Sequence, residues 1–160
     1  MKCLIFSDSH GTAYYIERAI SMHRDAEAVF FLGDGLADIE PLVSKYPSMA
    51  WLFVRGNCDP AFSSPAPQSG RITLEGKKIY YCHGDIHGVK AGMEKAEEYS
   101  KANGVDVFLF GHTHIPYEKY SDGIYYFNPG SIRGAGGTAP SYGIMLIVDS
   151  GVLFSHGNFV

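Results

Sequence analysis

The sequence predicts an α/β fold, a layered sandwich of two mixed β-sheets packed face to face with helices outside. Three observations predict it. Buried-strand runs alternate with amphipathic helical stretches in the first half, turn-punctuated strand pairs fill the second half, and polar residues able to bind metals stand at the ends of successive strands. With 160 residues and 46% hydrophobic content, the chain suits one domain spanning 1–160 with a substantial core.

Cys3 to Phe6 is a compact apolar run stopped by Ser7-Asp8, as expected of a buried strand, and Ala28 to Leu32 and Leu52 to Val54 have the same character. Between them, Thr12 is placed to cap a helix whose apolar face is Ile16, Ala19 and Ile20, and Leu36 to Tyr46 supplies a second helix. The order β-α-β-α-β follows. Proline and serine between Pro60 and Gly70 mark an irregular loop.

Arg71 to Leu74 and Lys78 to Cys82, joined through Glu75-Gly76-Lys77, read as a hairpin. A helix with Val89, Met93, Ala96 and Tyr99 on one face comes next and ends at Asn103-Gly104. Val105 to Phe110 is another buried strand. Tyr117 to Phe127 folds back at Asp122-Gly123, and Tyr142 to Val148 pairs with Val152 to His156 across Ser150-Gly151.

A formal net charge of -4 argues against an extended nucleic-acid groove, although metal ions in a cleft would bring their own positive charge to a small anionic substrate. Three cysteines, Cys3, Cys58 and Cys82, form no disulfide framework and point to a reducing compartment, the cytoplasm. No apolar run is long enough for a signal peptide core or a membrane span. The expectation is a protein without membrane association, whose strand edges are compatible with a homo-oligomer or with a monomer.

Five segments carry the chemistry: Asp8-Ser9-His10, Gly33-Asp34, Gly56-Asn57-Cys58-Asp59, His83-Gly84 and Gly111-His112-Thr113-His114. Taken singly, most have an ordinary explanation. Asp-Ser-His-Gly is good turn chemistry, an Asp between glycines often caps a helix, and a lone His is more often structural than a ligand. The paired imidazoles of His112 and His114 are the most specific signal, since they have little packing purpose and suit borderline metals. Together the segments offer seven ligands, Asp8, His10, Asp34, Asn57, His83, His112 and His114, too many for one ion. With one carboxylate shared they divide between two neighbouring ions, an arrangement that generates hydroxide for attack on phosphorus.

In this order the segments resemble the calcineurin-like metallophosphoesterase superfamily, whose pattern is Asp-x-His, Gly-Asp, Gly-Asn-His-Asp/Glu, a single His and Gly-His-x-His. The short length, the Gly-Asn-Cys-Asp variant and Asn128-Pro129-Gly130-Ser131 are most similar to its small single-domain prokaryotic phosphodiesterases. The resemblance implies one divalent ion on Asp8, His10, Asp34 and His114 and a second on Asp34, Asn57, His83 and His112. Manganese, iron, zinc or nickel are the implied metals, with manganese favoured. A hydroxide between the ions would attack a small phosphodiester or nucleotide-like substrate, with the Asn57 amide stabilising charge on phosphoryl oxygens.

Two positions depart from that pattern. Cys58 replaces the histidine that assists protonation of the leaving group in many relatives, and Asp85 stands where a second His often follows His83-Gly84. Arg55 and Arg133, each beside a ligand segment, are candidate phosphate contacts. Gly130 to Gly137 lacks the ending of a nucleotide P-loop and reads as a flexible rim loop, while His23, His87 and His156 read as structural or surface residues. The competing functions are a phosphomonoesterase of the same mechanism and a protein-binding scaffold like the retromer subunit that resembles this family.

Overall fold

The computed structural model describes residues 1–60 and 66–159. Within them the first half builds β1 (Lys2–Phe6), α1 (Tyr14–Met22), β2 (Ala28–Phe31), α2 (Leu36–Lys45) and β3 (Ala50–Phe53). The second half builds β4 (Ser69–Leu74), β5 (Lys77–Cys82), α3 (Glu94–Asn103), β6 (Val107–Leu109), β7 (Pro116–Ser121), β8 (Ile124–Pro129), β9 (Ser141–Val148) and β10 (Gly151–Asn158). Two mixed sheets result, one in the order β10-β9-β1-β2-β3 and the other β4-β5-β6-β8-β7. β1, β2 and β3 run parallel, as do β5, β6 and β8, and antiparallel strands flank each parallel set.

The layering follows from side-chain alternation along strands covered on both faces. Cys3 and Ile5 of β1 point into a core between the sheets with Phe30, Ile79, Leu109 and Phe127, while Leu4 and Phe6 point outward under Ile16, Ile20, Ile39 and Leu42 of α1 and α2. On the far side, Tyr80, Phe108 and Tyr126 meet Ala96 of α3. Helix, sheet, sheet and helix are thus stacked around three apolar clusters, as the fold class expected.

Several local expectations shift. Ala13, not Thr12, precedes the first turn of α1, and the Thr12 hydroxyl only approaches the Tyr14 N–H at 3.4 Å. The β4–β5 connection tightens to Glu75-Gly76, with φ of 46° and 76°, because Lys77 already pairs with Leu74. Asp122-Gly123 has the same left-handed pair of a type I′ turn. The final hairpin turns at Asp149-Ser150 instead of Ser150-Gly151, since Gly151 pairs with Val148. α3 starts five residues after Val89, because Gly88 and Gly92 adopt backbone conformations no helix accommodates; Val89 and Met93 nevertheless pack on the Ala96 and Tyr99 face. Of the expected loop from Pro60 to Gly70, residues 61–65 lie outside the described residues.

Candidate metal centre

Each candidate ligand stands just past a strand: Asp8 and His10 beyond β1, Asp34 beyond β2, Asn57 beyond β3, His83 beyond β5, and His112 and His114 beyond β6. Parallel strands therefore deliver residues from both sheets to one rim. The backbone at this rim is unusual. Asp8, His10, Asp34, His112 and His114 all have positive φ, between 43° and 67°, and the other described non-glycine residues in that region, Glu75 and Asp122, belong to hairpin turns. Such conformations persist where the surroundings over-determine them, as at functional sites.

Six of the seven side chains converge. Asp8 Oδ1 lies 3.0 Å from His114 Nε2, 3.7 Å from His10 Nε2 and 3.9 Å from His83 Nε2. Asp34 Oδ2 lies 3.3 Å from His83 Nε2 and 4.0 Å from His10 Nε2. The His10 and His114 Nε2 atoms are 3.3 Å apart, and His112 Nδ1 is 3.1 Å from His83 Nε2. Two groups with metal-ligand spacing emerge, Asp8 with His10 and His114, and Asp8 with Asp34 and His83. Asp8 belongs to both, while Asp34 Oδ2 also reaches toward a histidine of each. The seventh side chain, Asn57, is exposed and donates its amide to Cys58 Sγ at 3.3 Å.

The charge pattern follows from this crowding. Burial acts to raise the Asp34 pKa, but His83 and the Cys58 backbone N–H outweigh it and hold the carboxyl well below the usual range. Burial likewise acts to lower His83, yet Asp34 and Asp8 leave it raised, and direct contact with Asp8 raises His114. His112 is lowered by burial and by the neighbouring His83 and Lys90.

An outer set of bonds fixes the candidate ligands. Leu32 O lies 2.7 Å from His83 Nδ1, so this nitrogen carries a proton, and in the neutral imidazole Nε2 faces the cluster with its lone pair. The Ser7 hydroxyl and His112 N–H donate to Asp8 Oδ2, and the Ser131 hydroxyl donates to Asp8 O. Asn128 donates to Gly111 O and Thr113 Oγ1 and accepts from Gly130 N–H, bracing the His112–His114 loop. Asp59 accepts the N–H groups of Asp34, Gly35, Leu36 and Gly56, binding the rim to the first turn of α2. Gly56 has a steric reason to be glycine: a Cβ there would run into the Asp34 carboxylate.

Sequence reasoning did not single out Asp59, Ser7, Asn128 or Ser131 as site residues; the available signal was an acid two residues beyond Asn57 and polar residues beside ligand segments. Among the residues it did name, Arg133 Nη1 donates to His10 O at 3.0 Å. Arg55 follows β3 and its backbone N–H bonds to Pro67 O; among the described residues its guanidinium makes no hydrogen bond or ion pair. Ser131 and Ile132 at the base of the expected rim loop are buried and bonded to the β1 end. His23, His87 and His156 lie elsewhere, bonded to Tyr142, Tyr80 and Asn128.

The donors fit divalent cations. Asp8 Oδ1 is buried and accepts no well-aligned hydrogen bond; its nearest polar neighbours are histidine nitrogens, His114 Nε2 at 3.0 Å first among them. An orphaned carboxylate oxygen is costly in a protein interior, whereas a cation among imidazole and carboxylate donors satisfies it. No described helix is long and apolar enough to cross a membrane.

A model of the calcineurin-like phosphoesterase superfamily domain matches residues 1–150. A probable metallophosphoesterase of Bacillus subtilis, YsnB, is 32% identical over 134 residues, covering 83% of this chain and 76% of YsnB. The Escherichia coli phosphodiesterase YfcE is 28% identical, covering 91% of this chain and 87% of YfcE. Vacuolar protein sorting-associated protein 29 of Schizosaccharomyces pombe is 37% identical over 82 residues, covering 51% of this chain and 43% of that protein. A crystal structure from Streptococcus pneumoniae, of a predicted phosphoesterase, superposes with a TM-score of 0.82 at 26% identity, covering 98% of this chain and 88% of that one. Ligand segments, sandwich fold and relatives agree: the chain belongs to the calcineurin-like phosphoesterase superfamily, a family of metal-dependent phosphoesterases.

Proposed function

We propose that the protein is a phosphodiesterase that uses two divalent ions, one held by Asp8, His10, Asp34 and His114 and the other by Asp34, Asn57, His83 and His112. The observation that carries the reading is the buried Asp8 Oδ1, which accepts no well-aligned hydrogen bond and is encircled by nitrogens of His10, His83 and His114 at 3.0 to 3.9 Å. Bound divalent ions supply Lewis acidity at phosphoryl oxygens and bring the pKa of water to about 7. The donors are nitrogen and oxygen without a thiolate, a set compatible with manganese and also with iron, zinc or nickel.

The chain's own residues do the rest. His83, fixed by Leu32 O, presents Nε2, and His112 presents Nδ1 beside it. The exposed Asn57 amide, bonded to Cys58 Sγ here, would offer its oxygen as a metal ligand and its nitrogen as a donor to a phosphoryl oxygen. Arg133 uses one N–H to hold the His10 carbonyl and has others for substrate, and Arg55, whose guanidinium has no partner among the described residues, offers a second cation. Cys58 faces the leaving group in the role of a weak proton donor. Its thiol pKa is raised, first by burial and then by Asp34 and the other carboxylates.

A small diester is the substrate. The free state of Cys3, Cys58 and Cys82 supports the cytoplasm as the compartment. The similarity to a vacuolar sorting protein favours a second reading, a binding scaffold. Retention of all seven ligand positions favours the enzyme.

The test is to measure metal content and then hydrolysis of bis(p-nitrophenyl) phosphate and p-nitrophenyl phosphate, with and without chelator. Metal-dependent cleavage of the diester, faster than of the monoester, is expected. A faster monoester would make the protein a phosphomonoesterase, and metal-loaded protein inert toward both would favour the scaffold.

A further inference from the structure

A groove of about 550 Å³ runs beside the metal centre, bounded by Val89 and Met93 ahead of α3, Phe110 at the end of β6, Ile115 and Tyr117. We propose that this groove is the subsite for a planar aromatic ester group of the substrate, with the Lys90 ammonium at its edge available to the phosphoryl group. The proposal rests on the phosphodiesterase reading and names the class of diester.

Position supplies the first argument. Thr113, which also lines the groove, lies between the ligands His112 and His114, and Ile115 follows His114 directly. Along the chain, the groove wall is therefore one residue from each of the two imidazoles. The volume falls within the roughly 300–1,000 Å³ typical of small-molecule sites. A smaller hollow of about 280 Å³ near Arg71 and Lys78 lacks this connection, and its Arg71 is already bonded to Tyr99 and Asn103.

Chemistry supplies the second. The walls are aliphatic, thioether and aromatic, with Phe110 and Tyr117 arranged edge to face at 5.7 Å between centroids, surfaces that favour a flat ring. Ile115 is 62% exposed, leaving an apolar side chain uncovered next to a metal ligand. Among the described residues no acidic side chain lines the groove, and Lys90 does. A phosphate carrying a ring thus meets a cation and an apolar wall on the same side. The floor is preformed: the Thr113 hydroxyl accepts from Asn128 at 3.0 Å and from Ile115 N–H at 3.2 Å.

Phenylphosphonate and methylphosphonate separate the ring from the phosphoryl group, because their carbon–phosphorus bond survives the assay. Calorimetric titration of metal-loaded protein is expected to give about 10-fold tighter binding of phenylphosphonate. In methyl NMR spectra, only that ligand should shift the signals of Val89, Met93 and Ile115. Ile115→Ser and Met93→Ser should each reduce the preference to about twofold. Lys90→Gln should weaken both phosphonates together and leave their ratio unchanged. A wild-type preference below about twofold, or one that survives both groove substitutions, overturns the subsite; unaltered binding of both ligands in Lys90→Gln overturns the part given to Lys90. The two readings fail separately. Diester hydrolysis without ring preference removes the subsite alone, whereas ring preference without diester hydrolysis removes the phosphodiester reading and with it the substrate class.

Discussion

Asp59 Oδ2 accepts the backbone N–H of Asp34 at 2.7 Å, so that one carboxylate holds another in place without touching its side chain. The same Asp59 group accepts from Gly35, Leu36 and Gly56 at 2.8 to 2.9 Å. These bonds satisfy amides at the start of α2 and secure Asp34 at its positive φ of 58°.

Replacing Asp59 with Asn puts an NH₂ group among N–H donors and removes the charge that strengthened the bonds. Losing charge-assisted bonds costs about 1.5–3 kcal/mol, which for a domain of this size lowers Tm by about 5–10 °C. Metal affinity should fall about 10- to 100-fold, because an outer partner orients the ligand it holds. Thermal unfolding and metal titration of Asp59→Asn check both numbers. Wild-type values for each would mean that the Asp59 bonds are incidental.

Asp59 also marks where the sequence was legible and where it was not. Strand ends carrying Asp8, Asp34 and His112 could be read because apolar runs stop abruptly at polar residues, and Asp122-Gly123 because the turn requires left-handed backbone. The convergence of six side chains on one rim followed from parallel strands sharing a direction. Asp59, Asn128 and Ser131 act through bonds to backbone that is distant in the chain, and such bonds leave no periodic trace. The start of α3 was missed because Val89 and Met93 sit on the helical face without being in the helix. Likewise, spacing marks Asp8 and Asp34 as candidate ligands, but only geometry puts Asp8 in both groups with metal-ligand spacing.

Asp34→Asn should impair activity far more than Arg55→Ala. The carboxylate sits 3.3 Å from His83 and 4.0 Å from His10, so neutralising it affects both halves of the centre, whereas Arg55 contributes at most one outer contact. A loss of about 100-fold or more and reduced metal content are expected for Asp34→Asn, against less than about 5-fold for Arg55→Ala. Near-normal metal content and rate in Asp34→Asn would place the shared carboxylate elsewhere, Asp8 being the alternative its geometry offers.

Metal binding should release protons, and the release should shrink as pH rises. Metal-free His83 has a pKa raised above the ordinary 6.5: burial opposes its charge, but Asp34 and Asp8 prevail. The stabilisation of the metal-free fold by that proton is therefore complete below 6.5 and is lost as pH climbs through the raised folded value. His114 shifts in the same direction through its contact with Asp8. A cation needs both nitrogens unprotonated and displaces whatever protons they hold. Calorimetry in buffers of different ionisation enthalpy should show more protons released per metal at pH 6.5 than at pH 8. Equal release at both would mean that neither histidine carries a displaceable proton.

Cys58 should make the rate sensitive to the leaving group. Its backbone N–H donates to Asp34 Oδ1 at 2.8 Å, which places the exposed thiol beside the metal centre, and burial followed by the surrounding carboxylates raises its pKa. An imidazolium gives up its proton near 6.5, whereas an ordinary thiol at about 8.5 already holds its proton too firmly to be an efficient acid near neutrality. Bound cations would pull the thiol pKa down again, yet sulfur would still lack the second nitrogen that lets imidazolium give up one proton while keeping a neutral ring. Activated aryl diesters, which depart without protonation, should therefore be favoured over alkyl ones. Cys58→His, provided that it folds and keeps its metals, should raise the rate for alkoxide leaving groups by about 10-fold or more and change the rate for p-nitrophenolate by less than about 3-fold. A series of diesters graded by leaving-group pKa measures this as a flatter dependence in the variant. Parallel lines for wild type and Cys58→His would mean that position 58 takes no part in protonating the leaving group, and that Cys58 matters only for the amide it gives to Asp34.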